Sequence, residues 1–308
     1  MTTQHNLTRR QFTLTALAAG VAWSAGLTRG AESKSPLLLG GPAGGDSPET
    51  WVKAHQDLGY RAAYCPLDPS APDDTVRAYA DSAKKAGIVI AEVGAWSNPI
   101  SPKEEERKAA LDKCRKSLAL ADRIGARCCV NISGSRNPDH WAGPHEKNLT
   151  PETFDAIVET TRAILDDVKP TRTFFTLEAM AWAYPDSPDN YLKLLKAIAR
   201  ERCAVHLDPT NMVASPQLFY RTGDLLRECF AKLGPQIRSC HAKDLKLYPD
   251  KLSVQMEEVT PGTGGFDYAT FLRELRRFPE VPLMMEHLPN PEEYKKAADY
   301  IRSVDAKI

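Results

Sequence analysis

From residue 36 onward, short apolar runs alternate with longer stretches whose apolar residues recur every three or four positions. The short runs have strand length: PLLLGGP (36–42), RAAYCPL (61–67), GIVIAEVGAW (87–96), RCCVNISG (127–134), TFFTLEAM (173–180), CAVHLDP (203–209), IRSCHAKD (237–244) and PLMMEHL (282–288). The longer stretches, such as SPKEEERKAALDKCRKSLALADRIG (101–125) and TPETFDAIVETTRAILDDVK (150–169), have helical periodicity. Ser101 ahead of Pro102 and Glu104, and Thr150 ahead of Pro151 and Thr153, read as helix N-caps. Strands that alternate with helices pair in parallel through crossover helices. Eight such units in about 270 residues match the size of a (β/α)8 TIM barrel. A doubly wound open sheet is the competing arrangement, but LLLGGPAGGDSP lacks the glycine spacing of a dinucleotide fingerprint.

The apolar runs end on polar residues. Strand five ends in Thr176-Leu177-Glu178, strand six in His206-Leu207-Asp208, strand seven in His241-Ala242-Lys243-Asp244, and strand eight in Met285-Glu286-His287. In a barrel these ends form one mouth, where active sites lie. Glu178, Asp208, His241 and Glu286 would meet there, and three carboxylates converging on one imidazole repel each other without a cation. Oxygen-rich ligation with one nitrogen suits a divalent ion: Mn²⁺ first, with Co²⁺, Mg²⁺ and Zn²⁺ as alternatives. Alternation places His206 on the face of Asp208, and Lys243 on the face of His241. His287 alternates outward from Glu286. Asn211, just beyond Pro209, is expected to reach a substrate. Trp96 and Trp182 end strand–loop junctions and are candidates to pack on a sugar face. The polar loop after strand four adds Arg136, His140, Trp141 and His145 as candidate mouth residues.

The order Glu, Asp, His, Glu on strands five to eight resembles the xylose isomerase-like barrel superfamily. HAKD (241–244) is similar to that family's seventh strand, TPGTGGFDYATFLREL (260–275) to its Gly-x-Gly loop, and MMEHLPNP (284–291) to its eighth strand. The resemblance spans residues of about 36 to 304 and implies one divalent metal on Glu178, Asp208, His241 and Glu286. It further implies that Glu178 and Glu286 move a proton beside a carbonyl, through an enediolate, in a sugar isomerase or epimerase. The chemistry follows from the ligands: a cation chelated by a carbonyl and its neighbouring hydroxyl acidifies the C–H between them. Where the ketose epimerases carry a histidine after the strand-six aspartate, this chain has Asn211. Where they carry an arginine after the strand-seven histidine, it has Lys243 and Lys246. A lyase or hydratase acting on 3-keto-glycosides or inositol-like ketones is therefore the alternative, and a non-catalytic carbohydrate-binding barrel the third reading. The endonuclease IV type of the same superfamily needs further histidines that strands two, three and seven lack.

Composition changes this picture in three places. Lys plus Arg is 40 and Asp plus Glu is 40, so no basic surplus points to nucleic acid; the expected partner is a small carbohydrate. The seven cysteines are irregularly spaced and form no disulfide framework, so they read as small buried hydrophobes. The start of the chain, TRRQFTLTALAAGVAWSAGL (8–27), has paired Arg9 and Arg10 before an apolar run shorter than the roughly 20 residues of a membrane span. It resembles a twin-arginine export signal. The expected organisation is a signal over residues 1–31 and a barrel over 32–308. The mature form would be periplasmic or extracytoplasmic and without a stable membrane span; a homo-oligomer is compatible with the sequence.

Overall fold

The computed structural model describes residues 36–308. The expected export signal, with Arg9 and Arg10, lies outside the described residues. The chain runs β1 (Leu39–Gly40), α1 (Pro48–Asp57), β2 (Ala62–Tyr64), α2 (Asp73–Ala86), β3 (Val89–Gly94), α3 (Glu104–Ile124), β4 (Cys128–Ile132) and α4 (Pro151–Val168). It continues through β5 (Phe175–Glu178), α5 (Pro188–Ile198), β6 (Cys203–Leu207), α6 (Pro216–Phe219), α7 (Thr222–Leu233) and β7 (Ile237–Ala242). A pair of strands, β8 (Asp244–Leu247) and β9 (Met256–Val259), precedes α8 (Tyr268–Leu275), β10 (Leu283–Met285) and α9 (Pro291–Asp305).

Eight parallel strands close in the order β1-β10-β7-β6-β5-β4-β3-β2, the expected (β/α)8 barrel. Every apolar run of the sequence contributes one barrel strand. Closure brings β1 against β2 with Gly40 beside Ala62, where a Cβ on Gly40 would run into the Ala62 carbonyl. The main core fills the space between strands and helices. It includes Trp51, Leu118, Ile164, Leu194, Phe230 and Phe271, all essentially without exposure. Removing these faces from water is the dominant favourable contribution to folding. All seven cysteines are free thiols; six are buried and Cys65 is partly so. Burial pushes the Cys65 and Cys114 thiols up to about 11 and Cys203 to about 12.

Two local features differ from the sequence expectation. Thr150 does cap α4, accepting the Thr153 amide. Ser101 does not cap α3: its hydroxyl accepts the Lys103 amide at 3.1 Å and donates to Glu106 at 3.0 Å. Lys103 stays extended, so the helix begins at Glu104. The second difference is the antiparallel β8–β9 hairpin, inserted directly after β7 and paired from Asp244↔Val259 to Leu247↔Met256. No helix of the described residues is long and apolar enough to cross a membrane.

Candidate metal centre

Strands β5, β6, β7 and β10 deliver Glu178, Asp208, His241 and Glu286 to one point at the carboxyl mouth of the barrel. One ligand atom from each lies within 4.8 Å of all the others. His241 Nδ1 is the hub: Glu178 Oε1 lies 2.9 Å away, Glu286 Oε1 2.8 Å and Asp208 Oδ2 3.8 Å. His241 and Asp208 are completely buried. The segment after β6 explains how Asp208 is aimed. Its Oδ1 accepts the amides of Thr210 at 3.0 Å and Asn211 at 3.2 Å, closing a tight turn behind Pro209. That leaves Oδ2 to face the centre.

A second polar layer lies against the hub. His241 Nε2 donates to Glu92 Oε2 at 3.2 Å, and His206 Nε2 donates to Glu92 Oε1 at 3.0 Å. The Ser239 hydroxyl donates to the same Glu92 oxygen. Glu92, on β3, therefore gathers two imidazoles and a hydroxyl in a fully buried setting. The hydrogen bond from Nε2 fixes the tautomer that turns Nδ1 toward the three carboxylates. Glu92 lies inside the third apolar run, GIVIAEVGAW, and is not one of the polar residues that end a strand. The available signal was a lone acid inside the apolar run VIAEVG, which cannot be buried without partners. His206, on the face of Asp208, has Glu92 as its side-chain partner.

Lys243 completes the charge pattern. Its Nζ lies 2.6 Å from Glu286 Oε1 and 2.9 Å from Asp208 Oδ2, with Glu178 Oε1 at 3.9 Å and Glu258 Oε2 at 3.8 Å. Asn211 sits between these groups, its Nδ2 donating to Glu178 Oε1 at 3.4 Å and its Oδ1 accepting from Lys243 at 3.4 Å. Glu258 arrives on β9, so the unexpected hairpin contributes to the mouth. Its Oε2 also meets His287 Nδ1 at 3.3 Å, while His287 Nε2 is 3.6 Å from Glu286 Oε2. His287 is exposed, as alternation suggested, but its left-handed backbone (φ 57°) turns the ring back across both acids.

Electrostatics separate the carboxylates. Burial pushes Glu178 up, and the pull of His241 and Lys243 does not cancel it. Burial opposes ionisation of Glu286 as well, but His241 and then Lys243 hold it down at about 2. Asp208 is held well below the usual carboxylate range against the cost of burial, chiefly by Lys243. Glu92 is likewise lowered by His206 and His241 despite burial. The set fits a divalent cation. Asp208 Oδ2 and Glu286 Oε1 are buried carboxylate oxygens that converge with Glu178 and His241 Nδ1, a donor set of the kind that holds such an ion. Four buried or nearly buried acids, Glu92, Glu178, Asp208 and Glu286, also outnumber the single lysine beside them.

The remaining sequence candidates divide. Trp96 is half-buried with its ring 6.4 Å from that of His241, at the edge of the centre. His140 is exposed in the loop after β4, its Nδ1 accepting the Ala142 amide at 3.2 Å, and makes no hydrogen bond or ion pair with the centre. Arg136 braces that loop by donating to Ile100 O and Thr153 Oγ1. Trp182 ties the loop after β5 to the one after β4 through a 2.8 Å bond to Ala142 O. These contacts are local, and nothing in them brings Arg136 or His140 to the metal ligands.

A closed parallel barrel with its acidic centre at the carboxyl ends of the strands defines a (β/α)8 protein of the kind that does chemistry at that mouth. More narrowly, the chain belongs to the xylose isomerase-like TIM barrel family, whose model matches residues 52–304. Solved structures share the fold at low identity. A xylose isomerase-like TIM barrel protein from Mycobacterium smegmatis, in complex with magnesium, is 17% identical with a TM-score of 0.61, over 88% of this chain and 97% of that one. The 3-keto-D-glucoside 4-epimerase of E. coli is 11% identical with a TM-score of 0.62, over 87% and 100%. Endonuclease IV from Thermus thermophilus is 15% identical with a TM-score of 0.67, over 89% and 100%. No curated protein matches the sequence.

Proposed function

We propose that the protein is a divalent-metal-dependent carbohydrate isomerase or epimerase that moves a proton beside a carbonyl. The observation that carries this reading is the convergence of Glu178, Asp208, His241 and Glu286 within 4.8 Å at the barrel mouth. These four residues would hold the ion, Mn²⁺ first among Mn²⁺, Co²⁺, Mg²⁺ and Zn²⁺. When bound, the cation polarises the carbonyl and lowers the cost of charge on its oxygen. Glu178 and Glu286 arrive from β5 and β10, on either side of His241, and each carries a carboxylate able to take or return a proton. Asn211, held between Glu178 and Lys243, orients a hydroxyl or carbonyl by donating and accepting hydrogen bonds without acting as a base. Lys243 offers positive charge to the oxygen that becomes negative as the proton leaves. The 3-keto-D-glucoside 4-epimerase among the structural neighbours supports a sugar substrate.

A specific observation favours a second reading, a lyase or hydratase on the same ketone substrates. The exposed His287, paired with Glu258 beside Glu286, would supply the proton to a departing oxygen. One experiment separates the readings: the metal-loaded protein is incubated in D₂O with ketoses, 3-keto-glycosides and inositol-like ketones and followed by NMR. Deuterium entry with the carbon skeleton retained supports the epimerase, and release of the substituent supports the lyase. No exchange on any member of the panel overturns both and leaves a carbohydrate-binding barrel.

A further inference from the structure

Beside the metal centre, a cleft of about 670 Å³ opens between the ends of β1, β2 and β10. This volume lies in the range of small-molecule sites, roughly 300–1,000 Å³. Its wall includes Trp51, Tyr60, Tyr64, Leu288 and Tyr294. Two features make the wall poor in hydrogen-bonding groups. Pro42, Pro66, Pro289 and Pro291 line it and have no amide N–H to offer. Several polar side chains on it are already engaged with the chain itself. His55 Nδ1 donates to Trp51 O at 2.8 Å, the Tyr64 hydroxyl donates to Met285 O at 3.2 Å, and Asn290 Oδ1 accepts the Glu293 amide at 3.0 Å.

A free sugar entering this cleft would lose water from its hydroxyls and regain few hydrogen bonds, which is costly. An aryl or alkyl group would lose nothing and gain contact with aromatic rings. The cleft lies at the same carboxyl end of the barrel as the reacting groups, its lining drawn from the segments that follow β1, β2 and β10. The half-buried Tyr64 phenol, on the cleft wall, donates to the carbonyl of Met285, the residue before Glu286, at 3.2 Å. Leu288 follows Glu286 by two positions. A ligand whose carbonyl end lies at Glu178 and Glu286 thus has this apolar wall next to it.

We propose that the cleft binds an apolar substituent, aryl or alkyl, carried by the carbohydrate ketone on which the centre acts. The natural substrate is then a substituted keto-sugar rather than a free one. This rests on the reading of the centre as a site for carbohydrate ketones, and it adds what the rest of the substrate is.

The test compares 4-nitrophenyl and methyl 3-keto-β-glucosides on the metal-loaded full chain. The expected result is a kcat/KM for deuterium exchange on the order of 10- to 100-fold higher for the aryl compound, the scale of apolar-pocket discrimination. Leu288→Trp fills the cleft and should abolish the preference for the aryl compound over the methyl one. Leu58→Glu, on the exposed rim, gives a second variant that does not disturb the core. If neither compound exchanges, the reading of the chemistry fails separately. The cleft is then tested by calorimetric binding of the unreactive 4-nitrophenyl and methyl β-glucosides. Tighter aryl binding that both variants erase supports the cleft without any reaction. Equal exchange, or equal binding, of the aryl and methyl compounds by the unmodified protein overturns the proposal.

Discussion

Glu92 accepts hydrogen bonds from His206, His241 and Ser239 in a setting from which water is excluded. Its hydrogen bond to His241 Nε2 both orients the ring and makes Nδ1 a better donor to a cation. Glu92→Gln keeps the shape but removes the charge. We expect the affinity for Mn²⁺, measured by calorimetry, to fall on the order of 10- to 100-fold while circular dichroism stays unchanged. An unchanged affinity with only a lower Tm would make Glu92 a packing residue. Asn211 calls for a different readout. Asn211→Ala should retain metal but reduce kcat/KM on the order of 10- to 100-fold, the cost of one lost substrate hydrogen bond. A kinetically silent variant would reduce Asn211 to a turn residue. At this scale the sequence was informative wherever a polar residue ended an apolar run. Glu178, Asp208, His241 and Glu286 all obey that rule, because strand ends in a barrel share one mouth. Glu92 does not obey it: it lies within its strand, and its partners are on β6 and β7, more than a hundred residues away. His140 was read from a polar loop, a signal that gives no indication of where its side chains point, and its hydrogen bond in the structure is local.

The hairpin β8–β9 shows how one element serves another. Asp244, its first residue, has both carboxylate oxygens committed to backbone amides. Oδ1 accepts from Leu245 at 2.8 Å and Phe266 at 2.9 Å; Oδ2 accepts from Gly262 at 2.9 Å and Gly264 at 3.0 Å. The glycines are required for this approach. Gly262 takes a left-handed backbone (φ 96°), and a Cβ on Gly264 would strike the Asp244 carboxylate and the Leu245 carbonyl. Asp244 thereby locks the loop TPGTGG to the base of the hairpin that carries Glu258 to the mouth. Asp244→Ala leaves these amides without their acceptor and should destabilise the fold by about 2 kcal/mol or more. Faster hydrogen exchange at Gly262, Gly264 and Phe266 would locate the damage; exchange that stays slow there would show that the loop holds itself. The eight barrel strands were legible as elements because each is an apolar run bounded by helix signals. The hairpin was not, since LKLYPDKLSVQMEEV mixes exposed charges with apolar residues and buries little of either strand.

For the whole molecule, the pH response includes a contributor that is not among the metal ligands. His55 is buried on α1 against Trp51, and burial lowers its pKa despite the hydrogen bond to the Trp51 carbonyl. The folded protein therefore disfavours imidazolium more than the unfolded chain does. The stability gained by keeping His55 neutral is complete above the unfolded value of about 6.5 and is lost as the pH falls below it, toward the lowered folded value. Urea unfolding between about pH 5 and 7.5 should show a steeper loss of stability for the natural chain than for His55→Gln, by at most about 1.4 kcal/mol per pH unit for one proton. Parallel profiles would remove His55 from the account. At the same scale, we propose that residues 1–31 direct export. Replacing Arg9 and Arg10 with lysine should leave the protein in the cytoplasm, and unimpaired export would refute the twin-arginine reading.

The thiols give that route a consequence for quality control. Six of the seven are sealed in the core, and burial raises the pKa of each of them, so none is a ready nucleophile while the barrel is intact. A chain that opens in an oxidising compartment would present seven cysteines at once, with no native pairing to return to. Mispaired bridges would then outcompete refolding, and each opening would be a one-way loss. Were the protein exported as proposed, its lifetime there would be set by the rate of unfolding rather than by the equilibrium between folded and unfolded chains.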